Sequence, residues 1–263
     1  MSIADARRFH SAIVRLPGEG LERGLARDDL GKPRLDLALD QHRRYRDALE
    51  TCGLKVTVLA ADPAHPDGTF VEDAAVVIPT AALIARPGAP SRLGEVAAID
   101  VALRAQGLPL ATILSPGTLD GGDVCEIGDR VFVGLSARTN AEGAAQLTAW
   151  LAEHGMRCTT IDIGAMSSIL HLKSGVAWLG GDRVLAIDEL ARHRALSGFD
   201  IVPVDPDEAY AANVVRVNDH VLVASGFPRL AERLEQLGYR TIVLDMSEFA
   251  KLDGGLSCLS LRL

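Results

Sequence analysis

A unit recurs every 40 to 50 residues along this chain, and this repetition constrains the fold more than any other feature of the sequence. Each unit begins with two short apolar runs joined by a polar turn, a β-hairpin pattern seen in "EDAAVVIPTAALIARPG", "GDVCEIGDRVFVGLS", "SGVAWLGGDRVLAID" and "NVVRVNDHVLVASG". An amphipathic helix and one more β-rich run follow the hairpin. Repetition of one such supersecondary unit is typical of a propeller or another repeat array.

The predicted helices share apolar positions at helical spacing. They cover 34–52, 94–107, 140–155, 188–198 and 229–238. The strands after them are predicted in "LKVTVLAA", "LATILSP", "CTTIDIG", "FDIVPVD" and "RTIVLDM". The fifth unit is complete only if "CLSLRL" at the C-terminal end lies beside "SAIVRLPG" near the N-terminus, and this pairing closes the units into a ring.

Comparable positions at the starts of the units carry residues with reactive or polar side chains. They are Asp73, Asp123, Lys173, Asn213 and Cys258, spaced 50, 50, 40 and 45 residues apart. If the units surround an axis, these starts converge on one central pocket. The predicted fold is therefore α/β, a five-bladed α/β-propeller of ββαβ-type repeats around a central pocket, in a single domain over 1–263.

An open doubly wound sheet is the alternative fold, since it is also compatible with the number of strands and helices. The sequence lacks the phosphate loops that often accompany that fold. "GEGLERG" is one residue out of the dinucleotide-binding fingerprint, and no GxxxxGK[ST] segment occurs. These absences favour the ring.

The composition limits the class of protein. The net charge is −8, which disfavours nucleic acid and anionic membranes as partners, because phosphate binding needs a clustered basic face. No apolar stretch approaches the ~18 residues of a membrane span, and the N-terminus has charges where a signal peptide needs an apolar core. We therefore expect a cytoplasmic protein. The four cysteines have no C-x-x-C spacing, so neither a disulfide framework nor a zinc knuckle is predicted.

Hydrolysis of a guanidinium group would need the residue types that stand near the unit starts. The guanidinium carbon is a poor electrophile because the positive charge is spread over three nitrogens. Its hydrolysis therefore requires a strong nucleophile and a site that binds and desolvates the cation. Carboxylates can hold the nitrogens, a thiolate can attack the carbon, and a proton donor can convert the departing nitrogen into an amine. The chain offers these groups as Glu72, Asp73, Asp120, Asp123, His171 and Cys258.

A resemblance to a known family is carried by seven stretches, in order along the chain. They are "HPDGTFVEDAAVV", "ARPGAPSRLGE", "GTLDGGDV", "VGLSARTNAEG", "LHLKS", "AYAANVVRVN" and "KLDGGLSCLSLRL". Together they resemble the dimethylarginine dimethylaminohydrolase family of the guanidino-modifying pentein superfamily, whose members are five-bladed α/β-propellers. The resemblance runs from about Ile13 to the C-terminal end.

The resemblance implies an enzyme that hydrolyses Nω-methylated L-arginine (asymmetric dimethylarginine or monomethylarginine) to L-citrulline and dimethylamine or methylamine. It implies Cys258 as the nucleophile, His171 as the general acid and base, and Asp120 as the carboxylate that orients His171. A packing role is the alternative for the cysteine and for the histidine among leucines. The only partner expected is the small guanidino substrate, with no metal or organic cofactor, and the protein would be a monomer or homodimer.

The resemblance also implies a set of substrate contacts. Asp73 is expected to grip the guanidinium nitrogens, with Glu72 beside it in a supporting role. Arg92 and Arg138 would hold the substrate α-carboxylate, a task suited to a forked cation. Further expected contacts are Asp67 for the α-ammonium, Phe70 for the methylene chain, Leu25 on a closing lid and Ser257 beside the nucleophile.

The sequence is also compatible with three other functions. An arginine deiminase would use the same nucleophile, histidine and acids, although those relatives usually carry an extra helical insertion for which 263 residues leave little room. A non-catalytic pentein that serves as a binding module would not need these residues. Zinc could be held by Cys258, His171 and nearby carboxylates, because these ligand types suit it.

Overall fold

The structure, a computed structural model, describes residues 7–263. Its strands are β1 (Ser11–Arg15), β2 (Lys55–Leu59), β3 (Ala75–Ile78), β4 (Ala81–Ile84), β5 (Leu110–Thr112), β6 (Val124–Ile127), β7 (Arg130–Leu135), β8 (Arg157–Asp162), β9 (Val176–Gly180), β10 (Arg183–Ala186), β11 (Asp200–Pro203), β12 (Val215–Val217), β13 (His220–Ala224), β14 (Arg240–Leu244) and β15 (Leu261–Arg262). The α-helices are α1 (Leu35–Thr51), α2 (Val96–Ala105), α3 (Ala141–Glu153), α4 (Asp188–Ala191), α5 (Pro228–Gln236) and α6 (Ser247–Ala250).

The strands form five separate sheets of three strands each, one sheet per unit, within the part of the chain that the structure describes. In the second unit, for example, β6 and β7 pair in antiparallel fashion, and β8 returns after α3 to pair with β7 in parallel. The same order holds in the other units. The ββαβ prediction is confirmed, and the open doubly wound alternative is wrong because no continuous sheet joins the units among residues 7–263.

The ring closes between the two ends of the described chain, as predicted. β15 pairs with β1 in antiparallel fashion, with Ala12 opposite Arg262 and Ile13 opposite Leu261. β2 pairs with the other edge of β1 in parallel. The sheet of the fifth unit is therefore built from distant parts of the sequence, which places the C-terminal strand beside β1.

One predicted helix is wrong in part. The sequence pattern predicts a helix over 188–198, but α4 ends at Ala191 and a separate 3-10 turn covers Arg194–Leu196. His193 has an extended backbone, with φ −72° and ψ 131°, and its ring Nδ1 accepts a hydrogen bond from the Ala195 N–H at 3.2 Å. A side chain that caps the next turn in this way competes with continuation of the helix.

The starts of the units converge, as the repeat predicted. Each of the aligned residues lies in, or directly after, a 3-10 turn that leads into the first strand of its sheet. These turns cover Val71–Ala74, Gly121–Asp123, Leu172–Ser174, Pro206–Ala212 and Ser257–Leu259. Turns of neighbouring units pack against one another around the axis. None of the helices within residues 7–263 has both the length and the apolar character needed to cross a membrane.

His42 couples the stability of the fold to acid pH. It is fully buried on α1, and neither ring nitrogen has a hydrogen-bond partner among residues 7–263. Burial, and secondly the charge of Arg46, lower the pKa of His42 to about 4. Because the unfolded chain binds this proton more readily, the stabilisation is complete above pH 6.5 and is lost as the pH falls toward 4.

As the pH falls from 6.5 to 5, we expect the titration of His42 to lower the free energy of unfolding of the wild type by about 2 kcal/mol. The measurement is urea unfolding of the wild type and His42→Leu at both pH values. The wild type should lose this amount relative to the variant, whose apolar side chain does not titrate. Parallel losses in the two proteins would contradict the assignment.

Candidate active site

A small buried cavity lies where the turns of the first, third and fifth units meet. Its volume is about 20 Å³, and its walls are formed by Leu25, Asp67, Phe70, Asp73, Arg92, Arg138, Leu170, His171, Leu252, Asp253, Gly254 and Cys258. Eight of the eleven residues predicted for the site are in this set. Asp120 lies behind the wall in contact with His171, whereas Glu72 and Ser257 line a different cavity.

His171 and two carboxylates form the polar centre of the cavity. The His171 ring Nε2 lies 3.1 Å from Asp120 Oδ2, and ligand atoms of Asp73, Asp120 and His171 lie within 4.8 Å of one another. Burial alone would lower the pKa of His171, but the charges of Asp73 and Asp123 and the hydrogen bond with Asp120 outweigh it and raise the pKa to about 9. The imidazole is therefore protonated at neutral pH and can act as a proton donor.

Asp120 is placed to receive this histidine by backbone contacts from two other segments. It is fully buried, its Oδ1 accepts a hydrogen bond from the Gly88 N–H at 2.9 Å, and its own N–H donates to Thr139 Oγ1 at 3.1 Å. Burial works to raise its pKa, but the facing His171 cation and the Gly88 N–H hold it below the ordinary value. Asp120 is thus a carboxylate beside an imidazolium.

Cys258 lies in the last 3-10 turn, just before β15, with about nine-tenths of its surface buried. Its Sγ accepts a hydrogen bond from the Gly255 N–H at 3.4 Å. Burial, followed by the charges of Asp73 and Glu72, raises the pKa of the thiol to about 12. The resting group is therefore a neutral thiol, and it needs a nearby positive charge before it becomes a good nucleophile.

Close backbone approach in "GGLSC" brings the thiol to the cavity. A Cβ at Gly254 would collide with the Phe70 ring, and a Cβ at Gly255 would lie 2.5 Å from Asn213 Oδ1. Only glycine leaves room for both neighbours. The turn can therefore pass between Phe70 and Asn213 and present Cys258 to the cavity.

Arg92 is held by acids of the protein itself. Its Nη1 donates to Asp73 Oδ2 at 2.6 Å, and its Nε and Nη2 bind the Glu95 carboxylate at 2.8 to 3.1 Å. Nη2 also donates to the Phe70 carbonyl at 3.2 Å. Most of the guanidinium donors are therefore used within the wall, so Arg92 fixes Asp73 and has little capacity left for a substrate.

Arg138, in contrast, has an available guanidinium group. It is half-buried at the rim of the same cavity, and its side chain forms no hydrogen bond or ion pair with any residue between 7 and 263. Its backbone N–H is fixed by Ser136 Oγ at 3.0 Å, which in turn donates to Asp123 Oδ2 at 2.6 Å. Of the two predicted arginines, Arg138 is the better placed to bind a carboxylate.

The loop that begins at Leu25 covers the cavity. The Leu25 N–H donates to Asp67 Oδ1 at 2.9 Å, and burial raises the pKa of Asp67. Arg27 fastens the same loop, because its Nε donates to Asp253 Oδ1 at 3.1 Å and its Nη1 donates to the Ser167 carbonyl at 3.1 Å. The loop therefore closes the site through contacts with two walls of the cavity.

Glu72 and Ser257 face away from this cavity. Glu72 Oε1 accepts from Lys173 Nζ at 2.8 Å and from Arg262 Nη2 at 2.9 Å, and Ser257 Oγ donates to Glu72 Oε2 at 2.5 Å. Both residues line a second cavity of about 160 Å³ on the other side of the turns. Contact of these two side chains with a substrate in the first cavity, expected from the sequence, does not fit this geometry.

Sequence reasoning missed several residues of the wall. Leu170 and Leu252 add apolar surface, Asp253 adds a carboxylate, and Glu95 holds Arg92. Glu95 could have been found from its spacing, because an arginine and a glutamate three residues apart at the start of a helix can pair. No periodic signal marks the other three residues, which lie in irregular segments.

The cluster of Asp73, Asp120 and His171 contains atoms of the kind that bind a divalent cation. Asp73 also accepts hydrogen bonds from Arg92 and from the Gly122 N–H, and the His171 ring Nε2 lies against Asp120. The same groups can serve acid and base chemistry on a bound cation.

No protein-family model matches the chain, but it is similar in sequence to curated proteins and in fold to solved structures. The sequence is 41% identical over 255 residues to the N(G),N(G)-dimethylarginine dimethylaminohydrolase of Pseudomonas aeruginosa, covering 97% of this chain and 99% of that protein.

Two solved structures match nearly the whole fold. One is a cysteine-to-serine variant of the Pseudomonas aeruginosa enzyme complexed with citrulline, with a TM-score of 0.94, 40% identity, and coverage of 98% of this chain and 100% of that one. The other is a histidine-to-glycine variant of a dimethylarginine dimethylaminohydrolase as an adduct with S-methyl-L-thiocitrulline, with a TM-score of 0.93, 40% identity, and coverage of 97% and 100%. Identity and coverage of this extent, together with the five sheets of the pentein propeller, show that the chain belongs to the dimethylarginine dimethylaminohydrolase family.

Proposed function

We propose that this protein hydrolyses Nω-methylated L-arginine to L-citrulline and dimethylamine or methylamine through a covalent intermediate on Cys258. The observation that carries the proposal is the shared cavity, in whose walls a thiol, a protonated histidine and a carboxylate come together. The name of the Pseudomonas aeruginosa relative and its complex with citrulline support the substrate and product classes.

Substrate binding would depend on charges at both ends of the molecule. Asp73 and Asp120 lie within 4.8 Å of His171 by their nearest ligand atoms, and they can hold the guanidinium nitrogens. Arg138 would bind the α-carboxylate and Asp67 the α-ammonium, while Phe70 would pack against the methylene chain. The loop that carries Leu25 lies against the cavity, with its Leu25 N–H bound to Asp67 Oδ1, and we expect it to open before binding and to close over the substrate.

The first chemical step forms a carbon–sulfur bond. As the substrate cation binds, the thiol of Cys258 loses its proton to solvent. The resulting thiolate attacks the guanidinium carbon, His171 gives its proton to the methylated nitrogen, and the carbon–nitrogen bond breaks to release the amine. The substrate carbon then remains attached to Cys258 as an amidino-thioether. The protonated state of His171, whose pKa is raised to about 9, suits this donation at neutral pH.

The second step hydrolyses this intermediate. His171, now neutral, takes a proton from a water molecule, and the resulting hydroxide adds to the carbon. The carbon–sulfur bond breaks, its electron pair returns to Cys258, and the hydroxyl proton of the intermediate moves to this sulfur, which restores the thiol. The product is the ureido group of citrulline, and the histidine is protonated again for the next cycle.

The bound substrate would also activate the thiol. The pKa of Cys258 is raised to about 12 by burial and by neighbouring acids, so few molecules carry the thiolate at rest. A guanidinium cation within ~4–6 Å favours the thiolate. Ultraviolet titration of the thiolate with and without a bound guanidinium ligand tests this step, and coincident curves would refute it.

A substrate panel tests the proposed function directly. The wild type is incubated with asymmetric dimethylarginine, monomethylarginine and plain arginine, and citrulline, methylated amine and ammonia are measured. We expect citrulline with dimethylamine or methylamine from the methylated substrates. Ammonia release from plain arginine at an equal or greater rate would instead identify a deiminase, and the absence of citrulline from every substrate would leave the binding module.

Replacing Arg138 with alanine is expected to raise KM about 10–100-fold, because a charge-assisted hydrogen bond to a carboxylate is lost. Steady-state kinetics with dimethylarginine give the result. Arg130→Ala is the matched control, since Arg130 lies over the Phe199 ring away from the cavity. A substrate analogue without the α-carboxylate should be turned over with the same KM by Arg138→Ala and the wild type. A KM difference that persists with this analogue would contradict the role.

Three further expectations stay predictions. They are a single domain over 1–263, a cytoplasmic location, and a monomer or homodimer in solution. None of them enters the mechanism, because every group that the two chemical steps use comes from one chain.

A further inference from the structure

A repeated hydrogen bond links consecutive units around the axis. Asp73 Oδ1 accepts from the Gly122 N–H at 2.9 Å, and Asp123 Oδ1 accepts from the Leu172 N–H at 3.0 Å. Asn213 Oδ1 accepts from the Ser257 N–H at 2.8 Å. In each case the side chain at the aligned position of one unit binds the backbone directly before the aligned residue of the next unit.

Lys173 and Cys258 interrupt this pattern. Lys173 cannot accept a hydrogen bond through its ammonium group, and the link to the fourth unit runs instead from Asn213 Nδ2 to the Lys173 carbonyl at 2.9 Å. The fifth unit is joined to the first through Ser257 Oγ, which donates to Glu72. Cys258 Sγ makes no such link to the next unit and is left facing the cavity.

Asn213 is the residue that fixes the turn before the thiol. Asn213 is buried, with only 6% of its surface exposed. Its Oδ1 holds the Ser257 N–H, and its Nδ2 donates to Ser257 Oγ at 3.0 Å. Since Asn213 donates to this oxygen, the hydroxyl proton of Ser257 is directed toward Glu72.

The same amide limits movement of the turn in a second direction. The Asn213 amide packs closely against Gly255, because a Cβ at Gly255 would lie 2.5 Å from Asn213 Oδ1. Gly255 in turn contacts the thiol, since its N–H donates to Cys258 Sγ at 3.4 Å. Asn213 thus contacts the residues on both sides of Leu256: Gly255, three positions before the thiol, and Ser257, directly before it. A side chain that only filled space would not need these paired polar contacts.

We propose that Asn213 is a positioning residue for Cys258, which holds the 255–258 turn through Ser257 and so aims the thiol at the substrate carbon. The inference rests on the proposed function for its kinetic part. Reacting atoms must be held close to their attack geometry, and a displacement of about 1 Å can reduce the rate 100-fold. Neither the sequence resemblance nor the cavity lining assigns this role to Asn213.

Asn213→Ala is the test variant, and Asn218→Gly is its matched control. Asn218 is also a buried asparagine with several backbone hydrogen bonds, but it binds Phe9 and Cys52 on the far side of the turns, and its φ of 54° suits glycine. We expect Asn213→Ala to lower kcat about 10–100-fold with KM within about threefold of the wild type. Asn218→Gly should keep both constants within about threefold.

Alkylation of Cys258 gives a readout that does not need turnover. A looser turn admits water to the buried thiol, so iodoacetamide at pH 8 should modify Cys258 several-fold faster in Asn213→Ala than in the wild type, as measured by peptide mass spectrometry. Faster alkylation combined with slower turnover would show that the thiol of Cys258 is more accessible but no longer correctly oriented toward the substrate carbon. Thermal unfolding of both variants shows whether they are folded under the assay conditions.

Unchanged kcat and unchanged alkylation in a folded Asn213→Ala would overturn the proposal, as would equal effects in Asn218→Gly. If Asn213→Ala does not fold, Asn213→Ser, which keeps a short polar side chain, is measured in its place with the same expected pair of results. A wild type that forms no citrulline refutes the proposed function alone, because faster alkylation in the variant would still support the positioning of the thiol by Asn213.

Discussion

Cys258→Ser is expected to reduce citrulline formation from dimethylarginine by at least about 10⁴-fold. A serine hydroxyl has nearly the same shape as the thiol but a much higher pKa, so the variant keeps the cavity and loses the nucleophile. Steady-state citrulline assays and a direct binding measurement separate the two effects. We expect binding of dimethylarginine within about tenfold of the wild type while turnover disappears.

The pKa of a cysteine does not by itself identify the nucleophile in this protein. Burial raises the pKa of Cys125 as well as that of Cys258 to about 12. The two differ in position, because Cys125 lies on β6 beside the second cavity, whereas Cys258 shares the first cavity with His171. The argument for Cys258 therefore rests on its neighbours and on the substrate cation that this cavity can hold.

Cys125→Ala is the matched control for the serine variant. It removes a buried thiol of the same raised pKa, and we expect kcat within about threefold of the wild type because the reacting carbon does not reach the second cavity. Citrulline formation by Cys258→Ser at a wild-type rate would refute the proposed intermediate. Loss of activity in Cys125→Ala, in protein that is still folded, would also contradict it.

The repeat was the part of the sequence that best predicted the structure. Helix and strand periodicities gave the five ββαβ units, and the strand pattern at both ends gave the closure of β15 on β1. These features depend on local residue patterns that occur once in every unit. The helix predicted over 188–198 failed because a single side chain, that of His193, caps a new turn within it.

The directions of individual side chains were harder to predict. The resemblance implied that Glu72 would support Asp73, its neighbour in the sequence, at the substrate guanidinium group. The structure has a 3-10 turn there, with Asp73 at the first cavity and Glu72 at the second. The cations that hold Glu72 come from Lys173 and Arg262, which are 101 and 190 residues away, so no local pattern reports them.

The two arginines show the same limit. The resemblance gave Arg92 and Arg138 one shared task, although their surroundings differ. Arg92 is neutralised by Asp73 and Glu95 in the wall, whereas Arg138 remains available at the rim. Burial and pairing distinguish the two arginines, and both properties depend on the packed fold.

His171→Gln is expected to lower kcat by about 10²–10⁴-fold, which is the usual contribution of a general acid and base. Glutamine can still donate a hydrogen bond toward Asp120 from near the position of the ring Nε2, but it cannot transfer a proton. Citrulline assays from pH 6 to pH 10 give the measurement. In the wild type, we expect proton donation by His171 to weaken as the pH rises through about 9.

The same variant has a second expected effect, on stability. The folded pKa of His171, about 9, is above the unfolded value of 6.5, so its charge stabilises the fold fully below pH 6.5, and this contribution is lost as the pH rises to 9. The free energy of unfolding of the wild type should therefore fall by about 3 kcal/mol over this range relative to His171→Gln. Urea unfolding at pH 6.5 and pH 9 measures the difference.

His42→Leu is the matched control, because His42 is another buried histidine with a pKa shifted in the opposite direction, to about 4. It should change the pH dependence of stability only on the acid side of pH 6.5 and leave kcat within about threefold of the wild type. If the free energies of unfolding of the wild type and of His171→Gln differ by the same amount at pH 6.5 and at pH 9, the pKa of His171 is not raised and the ring is neutral in the folded protein above pH 7. The imidazole could then not serve as the acid that releases the amine, and the first chemical step would need another proton donor.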